Sequence, residues 1–183
     1  METTSTLTMG VPFPIALTAT ARGLTCIRIV LTNEPASPDS PVPGNREAER
    51  ILETTAEQLV AYFAGRRRNF DLPLAPGGTP FQERCWDQLQ RIPYGATISY
   101  AELARRVGNP KACRAVGAAN GRNPIPIVIP CHRVIGSSGK LHGFAYGLDI
   151  KRQLIDLEIA SLSASGEPAA PTIDIDSKQR SSF

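Results

Sequence analysis

The 183-residue chain is short of the residues that hold metals or cross-link folds. It has four cysteines (Cys26, Cys85, Cys113 and Cys131) with no C-x-x-C pair, and two histidines, His132 and His142. That inventory argues against a zinc ribbon and against a disulfide framework, and no structural metal is expected. No apolar run is long enough to span a bilayer, and no signal-peptide pattern is present. A reducing compartment, cytoplasm or nucleoid, is the expected home. Net charge is also scarce, at +3 from 20 Lys/Arg and 17 Asp/Glu. The small excess is local. Residues 79–159 hold 11 basic against 6 acidic side chains, whereas residues 1–78 hold 7 against 8. A basic segment suits a polyanion, and it suits plain solubility equally well.

What is present supports a folded core. The chain is 42% hydrophobic and long enough for one ordinary domain or two small ones. Residues 1–12 read as a loose leader. Residues 15–20 and 24–31 read as strands around the turn Arg22-Gly23. The four prolines of 33–44 mark a loop. Asn45 can cap a helix to Ala64, with Leu52, Ala56, Leu59, Val60 and Phe63 as its apolar stripe and Gly65 as its stop. Arg66-Arg67-Arg68 then reads as a solvated helix end. A Pro/Gly-containing linker at 71–78 separates an N-terminal domain, 1–75, from a C-terminal one, 79–159.

The second part opens on Thr79-Pro80-Phe81-Gln82, which combines a capping Thr, Pro at the first helical position and Gln three residues after the cap. Phe81, Cys85, Leu89 and Ile92 then share a helix face. Ser99-Tyr100-Ala101-Glu102 repeats the capping logic and opens a helix to Val107, stopped by Gly108. A second helix spans 110–120, so the two make a helix-turn-helix candidate. The second helix is rich in small residues (Ala112, Ala115, Gly117, Ala118, Ala119) beside Lys111 and Arg114. Such a face fits tight packing against another helix, and it also fits insertion into a nucleic-acid groove. A last helix, 148–159, brings Leu148, Ile150, Leu154, Ile155 and Leu157 to a core, with Glu158 near its end. Residues 160–183 read as a disordered tail.

One stretch carries chemistry. The apolar run Ile127-Val128-Ile129 leads into Pro130-Cys131-His132-Arg133-Val134-Ile135, so Cys131 is expected at the end of a buried strand. A thiolate is the reactive form of cysteine; it needs a base, and the base needs an orienting group. Adjacent strand side chains point to opposite faces, so His132 would reach Cys131 only through a turn or a water.

The line from Asn123 to Ile135 resembles the active-site signature of the O6-alkylguanine-DNA alkyltransferases (methylated-DNA–protein-cysteine methyltransferases). Pro93-Tyr94-Gly95-Ala96-Thr97-Ile98-Ser99-Tyr100 resembles that family's approach to its helix-turn-helix, and Arg114-Ala115-Val116-Gly117-Ala118-Ala119-Asn120 its recognition helix. The likeness covers about 79–159, with a weaker match from 14 to 75. It implies an α+β fold: a ribonuclease-H-like α/β domain with a small antiparallel sheet, then a mostly helical domain with the helix-turn-helix. It implies DNA repair by irreversible transfer of an alkyl group from O6-alkylguanine to Cys131, once per molecule and without a cofactor, with O4-alkylthymine as a further lesion. Cys131 would be the acceptor, His132 its base through water, Glu158 the support of His132, Asn123 the brace of the turn, and Tyr100 the donor to the departing guanine. The implied partner is double-stranded DNA with a flipped alkylated base, bound by a monomer, with cooperative loading left open and no membrane involved. Arg114 would fill the vacated place in the duplex; Ala101, Asn109, Ala115, Gly117 and Ser137 align with further DNA-contacting positions. Pro126, Phe144 and Tyr146 would line the alkyl pocket, and a bulky Tyr146 either narrows it or only packs the loop. Three alternatives compete: a lesion binder lacking an acceptor, which the presence of Cys131 opposes; a thiol hydrolase, which leaves the helix-turn-helix unexplained; and a fused transcription regulator, whose cysteine-rich zinc domain is missing.

Overall fold

The chain divides into two compact units, Met1–Gly77 with Pro124–Pro126, and Gly78–Asn123 with Ile127–Phe183. The computed structural model describes residues 4–30 and 45–167. The expected loop at 33–44 and the expected tail beyond 167 lie outside the described residues.

In the first unit, β1 (Ser5–Val11), β2 (Phe13–Thr20) and β3 (Gly23–Ile29) form an antiparallel sheet in the order β1-β2-β3. Residues 5–11 are thus a paired strand and not the expected leader. Their Thr-rich sequence alternates weakly, and the ladder with β2, from Ser5 opposite Ala19 to Val11 opposite Phe13, gives it a strand partner. β2 lies centrally, and Ile15, Ala16 and Leu17 are all buried. Gly23 sits where a side chain cannot: an ideal Cβ would lie 2.6 Å from Pro73 O. That close approach lets Leu24 N donate to Pro73 O and Ala75 N to Leu24 O, so part of the expected linker bridges to β3.

α1 (Arg46–Phe63) covers the sheet, with Asn45 Oδ1 accepting from Ala48 N as its cap. Its buried face is Ala48, Ile51, Leu52, Thr55, Gln58, Leu59 and Tyr62. The expected stripe is therefore rotated: Val60 is exposed, and Ile51 and Tyr62 take the inner positions. Gln58 explains a polar member of that face, since its carboxamide both donates to Asp71 O and accepts from Asp71 N, each at 2.9 Å.

The second unit opens with α2 (Pro80–Gln90), which has the full reciprocal capping box between Thr79 and Gln82. Cys85, Trp86 and Leu89 are its buried residues, so Cys85 belongs to the core. β4 (Ile98–Ser99) leads into α3 (Tyr100–Arg106), where Ser99 Oγ accepts from Glu102 N. The box is only half made there, because the Glu102 carboxylate pairs with Arg105 and Arg106. α4 (Cys113–Gly121) starts three residues later than expected. Asn109 Oδ1 accepts from Lys111 N and holds 110–112 in a turn instead. Trp86 Nε1 donates to Ala119 O at 2.9 Å and ties α4 to α2.

The run Ile127-Val128-Ile129 is a buried turn and not a strand, with Ile127 at φ 76. A β-branched residue rarely adopts that left-handed backbone. The strand comes after the cysteine: β5 (Val134–Ile135) pairs in parallel with β4. α5 (Leu148–Ala164) closes the unit and runs five residues past its expected end, with Leu162 buried.

Candidate active site

Cys131, His132 and Arg133 form one turn of 3-10 helix between the buried turn and β5. Arg133 N donates to Pro130 O at 3.0 Å, so the chain bends at the point where a strand would have thrown Cys131 and His132 to opposite faces. Asn123 Nδ2 donates to Ile129 O at 2.7 Å and its side chain also hydrogen-bonds Cys131, so it braces this bend from both ends. Cys131 is 4% exposed. Burial pushes its thiol up to about 11, against the opposing pull of Asn123, the Lys151 ammonium and backbone N–H groups.

His132 and Glu158 are fully buried and meet at 2.9 Å through Nε2 and Oε1. Glu158 also accepts from Arg133 Nε at 3.0 Å and Nη2 at 2.8 Å, and from Gly95 N at 2.8 Å. Burial alone would raise this carboxyl, but the charges and hydrogen bonds of His132 and Arg133 outweigh it and hold the group at about 2. Burial lowers His132 against the pull of Glu158, so the neutral ring dominates at neutral pH. With Nε2–H given to the carboxylate, Nδ1 carries the lone pair, and it has no hydrogen-bond partner among the described residues. Gly95 is required at φ 73, where a Cβ would fall 2.3 Å from Leu162 Cδ1.

Tyr100, at the start of α3, donates from its hydroxyl to His142 O at 3.1 Å. Burial, and then the nearby Cys131 charge, push it up to about 12, while a hydrogen bond from Asn120 pulls the other way. Lys151 Nζ lies 5.8 Å over the Tyr100 ring and donates to Val134 O and His142 O. It is completely buried, and burial lowers it to about 8. Arg133, Lys151, Asn120 and Gly95 are site residues that the sequence reading left unassigned. The available signal was positional: Lys151 and Glu158 interrupt the apolar face of α5 with charge.

The other expected site residues are distributed unevenly. Ala101, Asn109, Arg114, Ala115 and Ser137 are exposed. Gly117 departs from the outer face of α4, since its ideal Cβ would lie 3.9 Å from the Tyr100 ring. Phe144 and Tyr146 pack edge to face, with centroids 5.8 Å apart. Pro126 falls in the three-residue stretch, Pro124–Pro126, that clusters with the first unit.

A buried thiol with an oriented histidine, set in the same unit as a helix-turn-helix, defines a cysteine-dependent protein built on a DNA-binding frame. Comparison with known proteins narrows that class. Family models described as 6-O-methylguanine DNA methyltransferase match twice, the ribonuclease-like domain over residues 11–76 and the DNA binding domain over 80–160. A methylated-DNA–protein-cysteine methyltransferase of Methanosarcina acetivorans is 50% identical over 146 residues, covering 79% of this chain and 91% of that one. The crystal structure of Mycobacterium tuberculosis O6-methylguanine methyltransferase superposes with a TM-score of 0.74 at 42% identity, over 91% of this chain and 96% of that one. A structure of the M. tuberculosis protein in complex with DNA gives 0.73 at 44% identity, over 84% and 92%. The chain belongs to the 6-O-methylguanine DNA methyltransferase family, and its α+β fold with a ribonuclease-like N-terminal part is the one expected.

Proposed function

We propose that this chain repairs DNA by moving an alkyl group from O6 of guanine to Cys131 Sγ, once per molecule, as a single-turnover methylated-DNA–protein-cysteine S-methyltransferase. The support is the family's shared name for this activity and one observation, the buried thiol beside a neutral histidine with its Nδ1 lone pair free. At neutral pH a thiol held at about 11 is ionised only to about one part in ten thousand. Transfer therefore needs a base at the moment of attack. His132 takes the thiol proton at Nδ1 through a water, and Glu158 stabilises the imidazolium that forms.

The sulfur then displaces the alkyl carbon in line. The S–C bond forms, the C–O6 bond breaks, and its electron pair enters the guanine ring. Tyr100 donates to the leaving ring, which departs neutral and avoids a costly buried anion. Reaching the thiol requires the base to leave the stack. Arg114 on the exposed side of α4, beside the small exposed Ala115 and Ala118, suits insertion into the duplex from the minor groove. Ala101, Asn109 and Ser137 supply contacts that need no base specificity. DNA is the partner, bound by a monomer. Residues 79–159 do this work and residues 1–75 form the supporting domain.

The test is direct. The protein is incubated with duplex DNA bearing O6-methylguanine and weighed. A stoichiometric gain of one CH2 on the Cys131 peptide is expected. Absence of that gain, or multiple turnover with free methyl product, refutes the proposal. Cys131→Ser abolishes the gain while retaining DNA binding.

A further inference from the structure

We propose that Gly143 is a positioning residue for the leaving-group step: by carrying no side chain it leaves the Tyr100 hydroxyl the place from which it serves the departing guanine. The inference rests on the reading above that Tyr100 donates to that guanine.

Gly143 is exposed in the loop between β5 and α5, with φ 52. An ideal Cβ built on it would lie 3.2 Å from Tyr100 Oη and, its chain neighbours apart, would meet nothing else within 4 Å. A contact that short makes one side give by a few tenths of an ångström. The loop side is held. His142 O accepts from Lys151 Nζ at 2.5 Å, and the same ammonium donates at 2.6 Å to Val134 O, directly after the acceptor turn. The His142 ring lies against Gly136, whose own ideal Cβ would fall 2.8 Å from Cδ2, and Gly136 N donates to Lys140 O at 2.8 Å. The hydroxyl side is looser. Its one hydrogen is shared between His142 O at 3.1 Å and Gly143 O at 3.4 Å, both longer than the usual O–H···O distance of about 2.7–2.8 Å. A side chain at 143 would therefore move the Tyr100 oxygen and not the loop.

The chemistry needs that oxygen loosely held and correctly placed. In the transfer the S–C bond forms, the C–O6 bond breaks and its electron pair enters the guanine ring. The Tyr100 proton passes to a ring nitrogen, and the thiol proton rests on His132, so the tyrosinate and imidazolium charges balance. The hydroxyl must therefore turn from the two loop carbonyls to the guanine without losing its place. A strong bond to the loop would oppose that turn. A Cβ at 143 would displace the oxygen by tenths of an ångström, where proton transfer depends steeply on distance. Glycine avoids both: its carbonyl is a weak resting acceptor, and its missing side chain leaves the oxygen where it stands.

The experiment measures single-turnover methylation of Cys131 in the full chain with two donors. One is duplex DNA bearing O6-methylguanine, over a range of concentrations; the other is methyl iodide, whose iodide leaves without a proton. Gly143→Ala is expected to slow the rate at saturating DNA about ten-fold, with the half-saturating DNA concentration and the methyl iodide rate each within about two-fold of wild type. Gly143→Asn tolerates a left-handed backbone and carries the same Cβ, so it should slow DNA transfer as Ala does. In a Tyr100→Phe background the Cβ has no hydroxyl to meet, and Gly143→Ala should slow DNA transfer no further. The proposal is overturned by a wild-type rate in Gly143→Ala at saturating DNA, by slowing with Ala but not Asn, by equal slowing with both donors, or by the full loss persisting in the Tyr100→Phe background. Tyr100→Phe at the wild-type rate would overturn it by removing the Tyr100 role beneath it, and failure of the wild-type protein to methylate Cys131 from DNA would remove the transfer itself.

Discussion

Glu158→Gln is the most telling perturbation of this molecule. The carboxylate is 1% exposed and faces His132 at 2.9 Å, Arg133 at 2.8 Å and Gly95 N at 2.8 Å. Moving a carboxyl from its ordinary 4.5 to about 2 corresponds to roughly 3 kcal/mol of stability at neutral pH. Removing one partner of a buried ion pair, which strands the other charge, costs about 3–5 kcal/mol in general. The two routes agree. For a chain of this length about 1 kcal/mol shifts Tm by roughly 2–4 °C, so Glu158→Gln should melt roughly 6–20 °C below wild type at pH 7. Arg133 keeps its Nη1 bond to Ile92 O and its place over the Tyr94 ring, so the loss is charge and not packing. Single-turnover transfer should also fall about ten- to hundred-fold, because His132 loses both its orientation and the stabilisation of its charged form. Arg133→Met combined with Glu158→Gln separates the two effects: stability recovers in part, and the rate does not. Calorimetry and a quenched transfer assay read both. A Tm within about 2 °C of wild type together with an unchanged rate would refute the reasoning.

Acid should weaken the fold in two stages. His132 is held neutral, so the unfolded chain takes up a proton below about 6.5 that the folded chain refuses, and stability falls as pH drops through that range; the depressed Glu158 then adds a second loss between about 4.5 and about 2. Urea melts at stepped pH check this, and a gain in stability on acidification below pH 6 would contradict it. Gly95→Ala forces a Cβ against Leu162 at a φ of 73 and displaces an N–H from Glu158, so it should cost about 1–3 kcal/mol and lower the transfer rate; an unchanged urea midpoint would show that the loop yields freely. Tyr146→Gly should speed transfer of benzyl relative to methyl if the Tyr146 ring narrows the pocket; an unchanged ratio across alkyl sizes leaves the ring as packing against Phe144.

Local chemistry was legible in the sequence where a short motif determines its own geometry. Thr79, Ser99 and Asn45 each cap the helix that their spacing predicts. The Cys131, His132 and Glu158 grouping was legible through family likeness, and the structure brings His132 and Glu158 within hydrogen-bond distance across 26 positions. Features that depend on tertiary partners were not legible. β1 has no strong alternation and gains its definition from β2. The buried face of α1 includes the polar Gln58, whose partner Asp71 lies 13 positions further on. Pro110 looked like a helix start, but the side chain of Asn109 competes for the same backbone. The buried turn at Ile127 breaks a steric preference that a run of Ile and Val would otherwise obey.

α5 acts as a ruler. Lys151, which ties β5 to the loop before α5, and Glu158, which gathers the histidine, are seven residues apart on one helix. Seven residues span about 10.5 Å and fall about 20° short of two full turns, so both charges project from nearly the same side. A single residue inserted or deleted between them would rotate one charge about 100° away from its partners, whatever its identity. Length between positions 151 and 158 is therefore as tightly constrained as composition, whereas a change of length beyond Leu162 would leave both ends of the ruler in place.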